Sequence, residues 1–276
     1  MFRIFTWVHR CDLRCSLMSQ KTTILPPSGK DVLTRKPGVR WPHSDLAREN
    51  DNLFVGSIEK AICIIYAFSE GHAELRLNEI AEITGLGRSA AQRYTHTLCS
   101  LGFLQKVNDG PVYRPAPRLL DMSSIYLRTD PLVEVAKPYL HQAIEAHNET
   151  INLSRRQGSD MMFVDRIPGR GDLTSRSLPG GRMPVFCTTA GRSILSHLPQ
   201  TEVLELLEAK ERRPLTAKTV TDLHAILDLV HKAREDGFAL ADEEGQMGII
   251  TVGAAILDGT GYPVAAVNMA ASRRHW

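Results

Sequence analysis

Residues 85–102 hold the feature that most constrains how this chain folds, a short amphipathic segment with a glycine turn before it and a glycine after it. Its apolar positions, three or four residues apart, are Ala91, Tyr94, Leu98 and Leu101. That spacing predicts a helix with one buried face. Ser89 and Gln92 have the spacing of a capping box, and Gly102 suits the left-handed residue that ends a helix. The segment therefore predicts a helix with a fixed start and a fixed stop.

The polar face of this predicted helix carries groups that bind nucleic acid. Its side chains are those of Arg88, Ser89, Gln92, Arg93 and His96. Arginine bonds guanine edges or phosphates, glutamine bonds adenine, and a serine at a helix start suits a phosphate. The alternative is an ordinary amphipathic surface helix that binds no DNA. The neighbouring segments distinguish between these two interpretations.

Two further helices are predicted upstream, over residues 57–68 and 78–84, and residues 85–87 supply the turn before the third. The first of them is expected to bury Ile58, Ala61, Ile62, Ile65 and Phe68. Two helices, a turn and a third helix form the order of a helix-turn-helix domain. This order favours DNA binding over the alternative of an inert surface helix.

A hairpin is predicted directly downstream. Residues 104–107 and 112–114 are short strand candidates around Asn108-Asp109-Gly110, whose Asp-Gly pair is a strong hairpin signal. Lys106 and Arg114 lie on these strands and are further candidates for phosphate contact. With this hairpin after the three helices, the predicted domain is a winged helix-turn-helix.

Charge over residues 57–118 is divided at Gly87. Two basic and five acidic groups precede this glycine, whereas five basic groups and one acidic group follow it. The basic groups that follow are Arg88, Arg93, Lys106, Arg114 and Arg118. Phosphate attraction is therefore expected on the third helix and the hairpin, away from the first two helices.

The chain has 276 residues, 43% of them hydrophobic, which is enough for two modest domains. The predicted organisation is a disordered N-terminal extension over 1–50, the winged helix over 51–115, a linker helix over 116–130 and a second domain over 131–276. The last of these is predicted to be an antiparallel sheet with helices packed on it, so the expected fold class is α+β.

Periodicity locates the elements of the second domain. Strands are expected over 150–154, 161–167, 238–241, 251–257 and 264–270, and helices over 130–147, 189–197, 201–209 and 222–236. The first of these helices starts at Asp130-Pro131, and Pro138 is expected to kink or restart it. Its predicted inward residues are Leu132, Val135, Ala136, Tyr139 and Ala143.

The cysteines have no repeated pairing pattern. They lie at positions 11, 15, 63, 99 and 187, and this odd count indicates a reduced, cytoplasmic setting. We expect no metal site and no cofactor. No apolar run approaches membrane length, so no membrane partner is expected either.

Taken in order, several segments resemble the IclR (isocitrate lyase regulator) family of bacterial transcription factors, over roughly residues 53–274. The matching segments are residues 57–61, 80–86, 97–104, 113–114, 188–192 and 258–267. Phe186-Cys187-Thr188, and residues 126–128 ahead of 131–133, are most similar to the branch that regulates aromatic-acid catabolism.

The resemblance implies an N-terminal winged helix and a C-terminal effector-binding domain of GAF-like fold, assembled as dimers or tetramers on palindromic operators. Carried over by motif, the effector-binding residues are Cys187, Thr188, Thr189, Ala190, Gly191, Thr251, Asn268 and Ala270. Ala270 departs from the small polar residue usual there. A second departure is that the chain stops where the family usually continues into a last helix.

The leading hypothesis is therefore a DNA-binding transcriptional regulator, not an enzyme, controlled by a small aromatic or carboxylic acid. One alternative is an enzyme acting on a small acid with Cys187 as nucleophile, which would need a base and an orienting group. The other is a constitutive DNA-binding protein without a ligand.

Overall fold

The computed structural model describes residues 53–69, 71–169 and 178–274. The extension predicted over 1–50 lies outside them. The described chain divides into two compact units, with the boundary between Tyr126 and Leu127. Each unit is therefore considered by itself.

The first unit is a winged helix-turn-helix. Its elements are α1 (Gly56–Tyr66), β1 (Leu75–Arg76), α2 (Leu77–Thr84), α3 (Arg88–Ser100), β2 (Leu104–Lys106) and β3 (Val112–Pro115). The strands form an antiparallel sheet in the order β1-β3-β2. Sequence analysis missed β1, because a strand of two residues is too short for alternation to register.

The core of this unit differs in two places from the predicted pattern. Ile58 is 62% exposed, whereas Ile64 is fully buried. The core draws on the C-terminal end of α1, through Ile64, Ala67 and Phe68, so the first turn of the helix has little to cover it. Leu101, expected inward, is 50% exposed because it caps α3, and the helix turns Thr95 inward instead.

Two consecutive helices follow the wing, α4 (Leu119–Thr129) and α5 (Pro131–His147). The Asp130 side chain caps α5 by accepting a hydrogen bond from the Leu132 amide. Pro138 lies inside α5, which continues through it. Leu132, Ala136 and Ala143 are buried as predicted. Val135 and Tyr139 are exposed instead, and Val133 and Leu140 are buried in their place, so the inward stripe was predicted only in part.

The second unit is an antiparallel sheet covered by helices, as expected for the α+β class. Its strands are β4 (Thr150–Gln157), β5 (Asp160–Ile167), β6 (Arg182–Pro184), β7 (Ala239–Asp242), β8 (Ile249–Leu257) and β9 (Pro263–Ser272). They are ordered β6-β5-β4-β9-β8-β7. The helices are α6 (Thr189–Leu195), preceded by a 3₁₀ turn (Val185–Cys187), α7 (Gln200–Glu208) and α8 (Leu223–Asp236). Strand β6 was not predicted.

Two hydrophobic clusters cover the two faces of this sheet, one on each side. Leu132, Val133 and Leu140 of α5 pack on one face, against Ile151 and Leu153 of β4. The other cluster joins the 3₁₀ turn, α6, α7 and α8 over Met161 and Ala266. Both faces are therefore buried, and a polar side chain on either needs a partner inside the protein or a ligand.

A β-bulge decides which residues of β5 reach the α6 face. Leu153 pairs with Asp165, but the next residue, Ser154, pairs with Phe163, so Val164 is the extra residue. Directly opposed residues share a face of an antiparallel pair. The bulge therefore places Phe163 beside Ser154, where uninterrupted pairing would place Val164.

Helix α6 approaches the preceding turn closely at Gly191. A Cβ at this position would lie 2.1 Å from the Val185 carbonyl oxygen. The Gly191 amide donates to Thr188 Oγ1 (3.1 Å), which caps the helix. This glycine is therefore required by packing.

A buried ion pair joins α6 to the loop between β7 and β8. Arg192 is fully buried and donates from both Nη atoms to the two carboxylate oxygens of Glu244, each at 2.6 Å. Its Nε donates to the Phe186 carbonyl (2.9 Å), and Glu244 also accepts the Val220 amide (3.1 Å). The pair is thus fully hydrogen-bonded, as a buried ion pair must be to be tolerated.

We predict that Glu244→Gln lowers the free energy of unfolding by about 3–5 kcal/mol, because it leaves the buried Arg192 charge uncompensated. Urea denaturation followed by circular dichroism measures this. Glu211→Gln, which removes an exposed partner of Arg213, should leave the free energy nearly unchanged. Equal effects of the two substitutions would contradict a structural role for the buried pair.

We predict that Gly191→Ala destabilises the second unit by about 3 kcal/mol, because the new methyl group meets the Val185 backbone. Gly259→Ala is the matched control, since a Cβ there meets nothing within 4 Å. A melting temperature of Gly191→Ala equal to that of the control would show that α6 is free to shift.

Candidate functional site

The candidate DNA-binding helix, α3, begins two residues earlier than its sequence signature indicates. Its N-cap is Gly87 and no side chain caps it, so the predicted capping box of Ser89 and Gln92 was wrong. Ser89 is instead the second helical residue. The first turn carries no acidic side chain, so the positive end of the helix is left for a phosphate.

The predicted outward face of α3 lies in solvent. Arg88, Ser89, Gln92, Arg93 and His96 are exposed. The opposite face is buried through Ala91, Thr95 and Leu98, which fixes the rotation of the helix. At its end, Gly102 has φ +78°, and the Phe103 amide donates to the Leu98 carbonyl (2.9 Å). This Schellman arrangement confirms the glycine stop.

The wing projects two basic side chains from different sides. Asn108 and Asp109 both have positive φ, at 49° and 55°, and the Gly110 amide closes the turn on the Val107 carbonyl (2.9 Å). Arg114 pairs with Gln105, whereas Lys106 pairs with Tyr113, so the two cations lie on opposite faces of the hairpin. Both are exposed.

Arg118, counted with the basic groups of this region, has a structural contact instead. Its Nη1 donates to the Leu101 carbonyl (2.9 Å), and its guanidinium lies 5.8 Å from the Phe103 ring centre. It therefore fastens the connection between α3 and β2 to the segment that follows β3.

A cavity of about 290 Å³ opens in the second unit, between the sheet and the start of α6. Its lining includes seven of the eight predicted effector residues, namely Cys187, Thr188, Thr189, Ala190, Thr251, Asn268 and Ala270. Gly191, the eighth, is absent from the lining, and its amide is already bonded to Thr188. The predicted cluster is therefore brought together except at that residue.

The strand register explains how distant segments meet here. Thr251 pairs with Ala270, and Gly253 pairs with Asn268, which itself pairs with Asn152. A Cβ on Gly253 would lie 2.9 Å from Thr189 Oγ1. The missing side chain at Gly253 thus lets the start of α6 lie directly on the sheet.

The cavity contains polar and charged residues that the motifs did not indicate. Asn152 and Ser154 lie on its sheet wall, and Arg182 of β6 lines it with an exposed side chain. Within the described ranges, Arg182 is the one charged residue of the lining. The sequence did contain a pattern that could have indicated Asn152 and Ser154. These polar residues alternate with apolar Ile151 and Leu153 in a strand that is buried on both faces.

Cys187 has the environment of a packed thiol. Burial raises its pKa to about 12, although the Arg192 guanidinium acts in the lowering direction. Its sulfur contacts the Pro184 carbonyl at 3.9 Å. Among the lining residues that the structure describes there is no histidine or carboxylate to serve as a base. A thiol protonated at neutral pH and without a base is poorly suited to nucleophilic catalysis.

The loop over residues 243–248 closes one side of the cavity through Gly245 and Gln246. Its Glu243 carboxylate accepts a hydrogen bond from Lys218, and this bond lowers the pKa of Glu243. The Gly248 amide and Arg273 add to the same shift. Glu243 therefore stays ionised and fastens the loop at neutral pH.

Across the described part of the chain, no helix combines the length and apolar character that a membrane span requires.

Two family models match the chain. The model for the C-terminal domain of the bacterial transcriptional regulator IclR matches residues 124–275, and the model for the IclR helix-turn-helix domain matches residues 57–108. The chain is 30% identical over 217 residues to the Pca regulon regulatory protein of Pseudomonas putida, covering 78% of this chain and 74% of that one.

Two further proteins are similar over most of their length. The p-hydroxybenzoate hydroxylase transcriptional activator of Acinetobacter baylyi is 29% identical over 234 residues, 82% of this chain and 84% of its own. The crystal structure of Thermotoga maritima IclR superposes with a TM-score of 0.61 at 29% identity, covering 79% of this chain and 88% of that one. The chain therefore belongs to the IclR family and is a DNA-binding transcriptional regulator of that type.

Proposed function

We propose that this regulator binds a small organic acid in the cavity of its second unit and that the acid changes its affinity for operator DNA. The observation that carries the proposal is the composition of the cavity lining, which combines one cation, several neutral polar groups and apolar side chains.

The charge of the lining favours a monoanion. Arg182 supplies a positive charge, and it also donates to Gln157 Oε1 (2.7 Å), which holds the guanidinium in place. The hydroxyls of Thr188, Thr189 and Thr251 offer further hydrogen bonds to a carboxylate. A cationic ligand would meet no acidic partner among the lining residues of the described chain.

The size and apolar side chains of the cavity favour a ligand with one ring. Ligand pockets usually hold about 300–1,000 Å³, so a volume near 290 Å³ is small. Met161, Phe163, Met183 and Ile249 provide the apolar contacts. An aromatic or similarly compact carboxylic acid fits this combination.

The names of the relatives point to the same chemistry. The Acinetobacter baylyi relative is named as the transcriptional activator of p-hydroxybenzoate hydroxylase, an enzyme named for an aromatic hydroxy acid. The class of acid that the cavity favours therefore agrees with the compound in this relative's name.

On the DNA side, we propose that Arg88, Ser89, Gln92, Arg93 and His96 face the major groove and its phosphates. The exposed polar face of α3 supports this assignment. Lys106 and Arg114 lie on opposite faces of the wing, an arrangement that suits a hairpin with phosphates on both sides. Two copies of the chain would read the two halves of a palindromic operator.

The acid controls DNA binding if it binds two conformations of the protein with different affinity. A ligand shifts an equilibrium only by that difference, and the coupling is reciprocal. Operator DNA should therefore change the affinity for the acid by the same factor that the acid changes the affinity for DNA.

We predict that Arg93→Ala weakens binding to the promoter region beside the protein's own gene by about 1–3 kcal/mol, if Arg93 contacts a base. Fluorescence anisotropy with labelled DNA at fixed salt measures this. Lys60→Ala, which removes an exposed cation of α1, is the control and should bind nearly as the native protein does. Equal affinities of Arg93→Ala and the native protein would contradict the assignment of α3.

We predict that benzoate or 4-hydroxybenzoate raises the melting temperature of the full chain, because a ligand at 100 times its Kd adds about 2.7 kcal/mol of stability. Arg182→Gln should weaken binding of the acid about tenfold, the effect of one charge-assisted hydrogen bond. Arg213→Gln removes an exposed arginine that pairs with Glu211 and serves as the control.

The outcomes separate the alternatives. DNA binding that no acid changes would support a constitutive regulator. Chemical turnover of a bound acid, lost in Cys187→Ala, would support the enzyme.

A further inference from the structure

In the described part of the chain, two buried polar atoms in the sheet wall of the cavity find no hydrogen-bond partner. They are Asn152 Oδ1 and Ser154 Oγ, on residues that are 2% and 0% exposed. Both residues line the cavity. A buried polar group without a partner is costly and needs an explanation beyond folding.

Other hydroxyls on the same side of the sheet have hydrogen-bond partners. Ser193 Oγ donates to the Thr189 and Gly253 carbonyls, both at 2.7 Å. Thr150 Oγ1 accepts the Gly169 amide at 3.1 Å. Hydroxyls on this face can therefore be satisfied by the fold, whereas Asn152 Oδ1 and Ser154 Oγ face the cavity without a partner among the described residues.

The register places Ser154 next to apolar side chains and Asn152 next to the polar side chains of Asn268 and Arg166. Ser154 lies between Phe163 of β5 and Ala266 of β9, and Asn152 lies beside Asn268. Residues two apart on one strand are separated by roughly 6.6 Å between their α-carbons. A ligand group placed between them can reach both side chains, since a rotation about the Cα–Cβ bond redirects the serine hydroxyl.

We infer that Asn152 and Ser154 select an acid that carries a hydroxyl group, which donates to Asn152 Oδ1 and accepts from Ser154 Oγ. This inference rests on the proposed function, because it specifies the ligand of the same cavity. The acidic group then lies toward exposed Arg182, and the hydroxyl lies at the buried wall.

A hydroxyl fits this wall better than other groups of similar size. It is both donor and acceptor, as the pair of atoms requires. A methyl group would leave both atoms unpaired. A protonated amine would need a carboxylate, and the lining residues within the described segments include none.

The test uses the full chain and matched acids in which a hydroxyl is replaced by a methyl group. The pairs are 4-hydroxybenzoate with 4-methylbenzoate and 3-hydroxybenzoate with 3-methylbenzoate, so that either ring position is covered. Isothermal titration calorimetry gives the affinities. For at least one pair, the native protein should bind the hydroxy acid about tenfold more tightly or better.

Ser154→Ala and Asn152→Leu test the residues. Each should reduce the preference for the hydroxy acid severalfold and leave the affinity for the methyl acid nearly unchanged. Ser154→Ala should also leave the stability of the ligand-free protein unchanged or raised, because that hydroxyl has no hydrogen bond to lose. A merely structural serine would instead lower it.

Ser193→Ala is the matched control. It removes a buried hydroxyl with two hydrogen bonds, so it should lower the stability and keep the preference between the acids. Equal binding of both members of each pair to the native protein overturns the inference but leaves the proposed function standing. In that case a trapped water hydrogen-bonds Asn152 Oδ1 and Ser154 Oγ. Binding of none of these acids overturns both.

Discussion

The ion pair between Arg192 and Glu244 is the interaction on which the second unit most depends. The Arg192 guanidinium is part of α6 and bonds both the Phe186 carbonyl of the 3₁₀ turn and Glu244 in the loop over residues 243–248. It therefore fixes these three segments in one arrangement. All three segments line the cavity. A buried ion pair adds little net stability compared with apolar packing, but breaking it is costly. Its effect is therefore to permit one geometry of the cavity and to penalise others.

Close packing and surface charge complete this geometry. The absence of a side chain at Gly191 lets α6 contact the Val185 backbone, and the same absence at Gly253 makes room for Thr189. Outside, Lys218 and Arg273 hold Glu243 at the start of the loop. The cavity is thus formed by a helix start packed on a sheet, with a polar wall inside. Among the lining residues that the structure describes, a single one, Arg182, is cationic, and its side chain is exposed. Such a site recognises shape and hydrogen bonding together.

The DNA-binding unit depends on a different constraint, the rotation of α3. Ala91, Thr95 and Leu98 fix that rotation by burial, and Gly102 ends the helix so that the chain turns into the wing. Because one face of α3 is buried in the core, the polar side chains of the other face are held outward in solvent. The same exposed side chains are therefore available to bases and phosphates.

From the sequence alone, periodicity and glycine punctuation predicted most of the helices and strands and the polar face of α3, because these are local signals. The predicted effector residues came from the motifs shared with the family, and seven of the eight line the cavity. The sequence did not show β1 or β6, which are too short to show a period. It predicted the inward residues of α1 and α5 only in part, because these depend on what packs against each helix. Asn152 and Ser154 were visible only as alternation in β4. Their meeting with Asn268 and Phe163, and their lack of partners, follow from strand register and a β-bulge. Such long-range pairings are set by tertiary structure, since no local pattern specifies which strand lies next to which.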